Sequence, residues 1–433
     1  MQNGPTVKVW DSRNLPSDWY RRQQVDQKAT ADLEASVKNI LSQVQAQGDS
    51  ALLDFTLRFD KAQLTAETLR VSPEEIKEAY TRVAPQQVAA IEFMKKRVGV
   101  FQKQLLANTE VRAFNEGIMV QTVLRPIESV GCYVPGGQAA YPSTVVMTAL
   151  VAKIAGVPRI VVCSPSNAAG KVNPLVLVAC DICGVTEIYK VGGAQAIAAL
   201  AYGTETIAPV RKIVGPGSKY VTSAKVLVSQ DVAIDMPAGP SEVLVLADET
   251  ADPRLIAYDL ISQAEHGTDS VAALITTSPK LALQVQECLG KFVAVAPRAE
   301  KIFESLNKFG FIIVCKDIAE AVALTNQFAT EHLEVMTKDA KALAEKLVAG
   351  LILIGPYSPV PLSDYASGTN HVLPTGGFAQ SFSGLSAIDF MRRVSIAECS
   401  REGLEKVKAQ VKVLTDTENL PNHYRAIAAR FEP

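Results

Sequence analysis

The sequence predicts an α/β protein with two open sheets, each an incomplete Rossmann-like unit, flanked by an N-terminal arm and a C-terminal helical segment. Three observations carry this. From about residue 130, short β-branched runs alternate with helical stretches; the alternation starts again at Val243; and a glycine- or proline-bearing turn follows each early strand. That rhythm belongs to βαβ units and parallel sheets.

Taken in order, residues 1–28 read as a polar arm bearing Trp10 and Trp19, and helices follow. Ser72-Pro73-Glu74-Glu75 opens one of them: Ser72 caps, Pro73 is tolerated in the first turn, and Glu75 closes a capping box. Strands are expected at Ile160–Cys163, Glu187–Val191 and Lys212–Val214, then at Val243–Ala247, Ala272–Thr277, Phe311–Val314 and Leu333–Met336. Asp252-Pro253 starts a helix that Gly267 stops, over about Pro253–His266. After about residue 385 the strands give out and helical sequence runs on, with Leu420, Tyr424, Ile427 and Phe431 forming one stripe.

Composition narrows the function classes. Lys plus Arg number 43 against 45 Asp plus Glu, without blocks of like charge, so neither a nucleic acid nor a membrane surface is the expected partner. A small neutral metabolite fits better. The first nineteen residues lack a basic region followed by an apolar run, and no later apolar stretch reaches membrane-spanning length, which makes a cytoplasmic enzyme the expectation. Seven cysteines at irregular spacing do not make a disulfide framework, and Cys180-x-x-Cys183 has no second pair to complete a zinc site.

The four histidines, 266, 332, 371 and 423, each sit in a polar cluster. Imidazole is the commonest metal ligand and moves protons near neutral pH, so such clusters invite a catalytic reading. Gln263 prolongs the buried stripe of Ile256 and Leu260, and His266 lies one turn further on, so the pair converges on one ion. Zinc asks for about two more ligands. Asp364, in a Pro/Ser/Gly loop that runs into Gly368-Thr369-Asn370-His371, is one candidate, and His423 is the other. Glu331-His332 precedes a strand, at a sheet mouth where loops carry chemistry; a carboxylate and an imidazole there suit two separate bases, one for an alcohol and one for water. The usual zinc-peptidase H-E-x-x-H is absent.

Glycine turns at Val134-Pro135-Gly136-Gly137, Val191-Gly192-Gly193-Ala194-Gln195 and Val214-Gly215-Pro216-Gly217-Ser218 let backbone approach a ligand, and a helix starting after such a turn offers amides to phosphate. They suit a nucleotide, or are tight turns alone, since neither a G-x-G-x-x-G fingerprint nor a Walker lysine is present.

Together, Ser262-Gln263-Ala264-Glu265-His266-Gly267, Glu331-His332-Leu333, Asp364-Tyr365, Gly368 to Thr375 and Asp235 to Glu242 resemble the histidinol dehydrogenase family, collinearly over nearly the whole chain. The resemblance implies a zinc-dependent, NAD-linked oxidation of L-histidinol through L-histidinal to L-histidine. It implies zinc ligands Gln263, His266, Asp364 and His423, the acid–base pair Glu331 and His332, and substrate contacts from Ser241, His371 and Glu418 beside the zinc ligands and His332. NAD is expected against Tyr133, Gly136, Gly137, Gln195, Gly217 and Ser218. It implies a homodimer whose C-terminal segment, residues 384–433, reaches the partner's site, so that Glu418 and His423 lie across the interface. The metal and catalytic residues fall to a discontinuous first domain, 29–130 with 243–383, and NAD to a second, 131–242, after the arm of 1–28.

The chain departs from the family's pattern at Ser218 (usually Asn), Thr330 (Pro), Ser363 (Gly), Asn419 (Gly) and Gln380 (Arg). Two rival functions remain at this level: a related zinc and NAD dehydrogenase of another small polar alcohol, such as a sulfonated diol, and a zinc hydrolase. Glu418 disfavours the sulfonate, because a carboxylate suits an imidazole N–H and repels that anion.

Overall fold

The structure is a computed structural model, and residues 5, 7–22, 27–107, 111–136 and 140–432 are described. Strand β1 (Lys8–Asp11) is followed by helices α1 (Gln27–Gln47), α2 (Asp49–Asp60), α3 (Ala66–Leu69), α4 (Pro73–Thr81) and α5 (Pro85–Ala107). The hairpin β2 (Val111–Asn115) and β3 (Ile118–Pro126) leads into β4 (Ser129–Tyr133), after which α6 (Pro142–Val145), a π-helical stretch and α7 (Val151–Ile154) reach β5 (Arg159–Cys163). Next come α8 (Pro174–Ile182), β6 (Glu187–Tyr189), α9 (Gly193–Tyr202), β7 (Lys212–Val214), α10 (Lys219–Val228) and β8 (Ala233–Ile234). The second run is β9 (Glu242–Ala247), α11 (Pro253–Ala264), β10 (Val271–Thr276), α12 (Pro279–Val293), α13 (Ala299–Phe309) and β11 (Phe311–Val314). It continues with α14 (Ile318–Phe328), β12 (His332–Met336), α15 (Ala340–Ala344), β13 (Leu351–Ile354) and α16 (Val360–Tyr365). Strand β14 (Met391–Cys399), α17 (Arg401–Thr417) and α18 (Pro421–Ala428) follow.

The fold class is α/β, with two open parallel sheets. One has the order β6-β5-β4-β7-β8 and the other β1-β11-β10-β9-β12-β13, all pairs parallel. Central strands β9 and β10 are buried at every position, as expected for aliphatic runs covered on both faces. Helix starts follow the local chemistry. Ser72 and Glu75 form the capping box, and Asp252 accepts the Arg254 N–H before Pro253 in the first turn of α11.

Three expectations are corrected. Residues 29–130 do not join 243–383: α1 buries Val37, Ile40 and Leu41 among Ile197, Leu200 and Val221, and α5 buries Ile91, Met94 and Val98 beside Val145, Met147 and Leu177. These helices therefore pack on the helical layers that flank the five-stranded sheet. The arm is not merely polar, because β1 pairs in parallel with β11 and completes the edge of the six-stranded sheet. Strands also do not end near residue 385: β14 pairs antiparallel along all of β3 and, with β2, forms a separate three-stranded sheet. Its alternating pattern, mostly exposed, carries little apolar signal.

Candidate active site

Strand ends of both sheets border one cleft. The C-terminal ends of β4 and β7 supply the turns at Pro135–Gly136 and Gly215–Ser218, where the strand order of the five-stranded sheet reverses direction. Ligands of open α/β sheets bind outside such a switch point. The six-stranded sheet contributes its opposite edge: Ser241, Glu331 and His332 stand at the N-terminal ends of β9 and β12, and Gln263 and His266 lie at the end of α11, just before β10. Between these edges lies a cleft of about 840 Å³.

Most of the expected residues converge there. Gly136, Gly217, Ser218, Ser241, Gln263, His266, Glu331, His332, Asp364 and His371 all line the cleft. Tyr133 and Gln195 do not; both are buried beside it. The Tyr133 hydroxyl accepts the Gly193 N–H at 3.1 Å, and the Asp60 carboxyl takes the Gly192 amide. The first amides of α9 are therefore occupied by protein groups. The start of α10 differs: Ser218 is its N-cap, yet its hydroxyl makes no capping bond, and the turn opens on the cleft. Of the two glycine turns placed before helices, the second has its amides available. Gly137 lies outside the described residues.

At the cleft floor one residue that sequence reasoning did not single out as functional organises the pair of bases. Glu242 donates its backbone N–H to Glu331 Oε2 at 2.8 Å, while its carbonyl oxygen accepts from His332 Nδ1 at 3.1 Å. A carbonyl only accepts, so Nδ1 carries a proton and Nε2 is left facing Asp364 Oδ1 at 3.8 Å. The Glu242 side chain, itself buried, is paired with Arg22 at 2.9 Å and accepts the Gly376 N–H. Its signal was the unbroken Ser241-Glu242 start of a strand, which reads equally as a plain strand end.

Electrostatics separate the histidines. Burial works against charge on His332, but the Glu331 carboxylate, its hydrogen bond and Asp364 outweigh it and raise the pKa to about 9. Burial and the neighbouring His332 push His371 down to about 4, so its ring is neutral. His266 lines the cleft and is exposed, yet desolvation by the surrounding protein holds it below the usual imidazole value. Burial raises Asp364 to about 6.

Among the described residues no three or more His, Cys, Asp or Glu side chains cluster as a metal site. The cleft nonetheless offers Gln263, His266 and Asp364 as amide, imidazole and carboxylate donors, and both amide atoms of Gln263 are buried without a partner. An orphaned buried amide asks for a ligand. That donor set fits a borderline cation such as zinc, short of one ligand.

Glu418 and His423 are not brought to this cleft. Both are exposed, on a tail whose helices α17 and α18 pack on each other, with Gly403 seated on Gly117 of the hairpin. Asn419 has φ +56°, a left-handed conformation that Gly adopts freely and Asn tolerates best among the others, which accounts for Asn where the resemblance has Gly. Ser363 and Thr330 are buried, with Ser363 Oγ donating to the Val360 carbonyl oxygen at 2.7 Å. Exposed Gln380 reaches the Gln327 carbonyl oxygen. Cys180 and Cys183 are buried thiols of the core.

A family model described as histidinol dehydrogenase matches residues 22–431. The histidinol dehydrogenase of Methanothermobacter thermautotrophicus is 44% identical over 418 residues, 96% of this chain and 98% of that one. That of Rhodopseudomonas palustris is 44% identical over 93% of this chain and 94% of its own. The crystal structure of histidinol dehydrogenase from Elizabethkingia anophelis superposes with a TM-score of 0.92 at 35% identity, covering 98% of both chains.

Proposed function

The chain belongs to the histidinol dehydrogenase family and is an oxidoreductase of histidine biosynthesis, and on that premise we propose that it oxidises L-histidinol through L-histidinal to L-histidine in two NAD-linked steps at a zinc site in the cleft. The observation that carries this reading is the backbone of Glu242, which holds a carboxylate and an imidazole side by side at the cleft floor.

His332 presents Nε2 to the cleft and, in the neutral form that prevails above a pKa of about 9, takes the hydroxyl proton of the alcohol as hydride leaves its carbon. Glu331 and Asp364 flank the ring, at 3.5 and 3.8 Å, and stabilise the imidazolium that forms. Glu331 has one carboxylate oxygen anchored by the Glu242 amide, which orients the group to take a proton from the water that attacks histidinal. Two hydrides leave in all, and each reduces one NAD. Gln263, His266 and Asp364 are the zinc ligands from this chain, with His423 as the fourth. Zinc bound by such mixed nitrogen and oxygen donors supplies positive charge that orients the amine and imidazole nitrogens of histidinol. Ser241 and neutral His371 add substrate contacts.

NAD is proposed to lie along Gly136 and the Gly217-Ser218 turn, with its pyrophosphate near the free amides of α10. Gln195, whose two amide atoms are buried without partners, and Tyr133 form the polar wall behind it. Glu418 and His423 come from a second copy of this chain in a homodimer. What supports this is the tail itself: it leaves Leu414 and Leu420 exposed beside His423, far from the chain's own cleft residues in packing.

The test is spectrophotometric. Histidinol with NAD should yield NADH, Glu331→Gln should impair oxidation of supplied histidinal more than of histidinol, and His332→Asn should slow both. Faster turnover of a sulfonated diol, or ester or amide hydrolysis without NAD, would replace this reading.

A further inference from the structure

Helix α14 ends at Phe328, and within three residues the chain must deliver Glu331 and His332 to the start of β12. Ala329 lies in that turn with φ +46°, in the left-handed region that glycine adopts freely and alanine only where its surroundings hold it. One side chain of the arm grips both carbonyls of the turn. Arg22 Nη2 donates to the Phe328 oxygen and, at 3.4 Å, to that of Ala329, while the guanidinium carbon lies 3.7 Å from the centre of the Phe328 ring.

The same guanidinium also reaches the neighbouring strand. Nε and Nη2 donate to the Glu242 carboxylate at 2.9 and 3.2 Å, and that carboxylate accepts the Glu331 N–H at 3.3 Å and the Gly376 N–H at 2.9 Å. Since Glu331 accepts the Glu242 N–H in return, the two glutamates exchange bonds in both directions. Nη1 donates to the Tyr20 carbonyl oxygen at 3.1 Å, and a Cβ on Gly377 would stand 3.3 Å from it. All three nitrogens are thus committed inside the protein, and Arg22 does not line the cleft. It does not touch substrate; what it can do is fix geometry. Only a planar fork of five donors reaches a carboxylate and two backbone carbonyls at once, and a lysine ammonium does not. Charge adds to this. Glu242 and Glu331 are both buried, and among the described residues their ion pairs come from Arg22 and His332 alone. Of these two only the guanidinium keeps its charge throughout a reaction in which His332 gains a proton.

We propose that Arg22 is a positioning residue for the oxidation: its guanidinium ties the Phe328–Ala329 turn to the Glu242 carboxylate and so sets where Glu331 and His332 stand in the cleft. This role rests on those two residues being the bases of the proposed reaction, whereas the clamp itself does not.

The test compares zinc-loaded wild type, Arg22→Ala and Arg22→Lys by NADH kinetics and by amide hydrogen exchange of residues 328–333. Arg22→Ala should lose kcat in both oxidations by up to about 100-fold, the scale of a misplacement of about 1 Å, with zinc content and both KM values close to wild type. Arg22→Lys keeps the charge without the fork and should recover only part of kcat. Added guanidinium should raise kcat of Arg22→Ala, leave wild type unchanged, and slow the exchange that the alanine variant has gained. If Arg22→Ala does not fold, Arg22→Lys carries the test. Wild-type kcat in either variant, a loss that falls on KM or zinc content instead, or guanidinium that slows exchange without raising kcat overturns the proposal. A wild-type chain that makes no NADH from histidinol sinks the reading of the function instead, and exchange over 328–333, faster in Arg22→Ala and slowed by guanidinium, still decides whether the clamp exists.

Discussion

The buried side chains of Lys225 and Asp235 grip one residue, Gly215, from two sides. Lys225 Nζ donates to the carbonyl oxygen of Gly215 at 2.9 Å, Asp235 Oδ2 accepts the Gly215 N–H at 2.8 Å, and the two side chains are ion-paired. Gly215 has φ +116° and packs against the Tyr133 carbonyl, where a Cβ would collide. The turn proposed to hold the cofactor is thus fixed by a glycine and an ion pair together. Lys225→Met leaves a buried carboxylate unpaired, a loss of about 3–5 kcal/mol in such pairs. We expect that variant to melt lower and to show a KM for NAD raised about 10-fold, with zinc retained, as for other groups that orient a binding site. Initial-rate kinetics with NAD and histidinol varied separately check it; an effect confined to histidinol refutes the assignment.

Purified protein should carry about one zinc per chain, and His266→Ala should lose it, because one ligand of about four is gone. Gln263→Ala should weaken retention as well. Metal analysis after dialysis decides. Full zinc in both variants removes α11 from the site.

The tail makes a separate prediction. If His423 completes the second copy's site, a mixed dimer of one His266→Ala chain and one His423→Ala chain contains one intact site and one doubly damaged site. Activity should then appear on co-expression and be nearly absent from either homodimer. Isolation by two affinity tags followed by NADH assay checks this, and an inactive mixed dimer returns His423 to its own chain or to irrelevance.

Asp60 gives the pH dependence. Burial raises its carboxyl to about 6, against the hydrogen bond from Gly192. A carboxyl raised on folding favours the folded state fully below its unfolded value, and that contribution fades as pH rises through about 6. Asp60→Asn removes the titration, so its stability relative to wild type should rise between acid and neutral pH, by about 1 kcal/mol once partial exposure is allowed for. Urea melts at several pH values measure it, and a constant difference contradicts it.

Much of this was legible in the residues. Aliphatic runs buried on both faces announce themselves, so β9 through β12 fall within a residue of their expected bounds. The cleft residues were legible because they sit in short polar clusters at strand and helix ends. What the sequence hid was pairing at a distance. The apolar faces of α1 and α5 state that they are covered, not by which sheet. Strand β14 is amphipathic only weakly, and its partner β3 is far away in sequence. Glu242 acts through its backbone, which a side-chain motif does not reveal.

The edge strand β1 also bears on how the molecule is made. Lys8 pairs with Phe311 and Asp11 with Val314, whereas strands β4 to β8 lie within one continuous stretch of chain. During synthesis the five-stranded sheet can close early, while the amino-terminal strand must wait until β11 has emerged before its neighbour exists. Loops that long are slow to close and give little reward until the last pair forms. This makes β1 a late strand to dock and, at the edge of its sheet, an early one to exchange its amide hydrogens with solvent. Because Arg22, further along the same arm, anchors the Glu242 side chain, undocking of the arm would take away the partner of that buried carboxylate at the floor of the cleft.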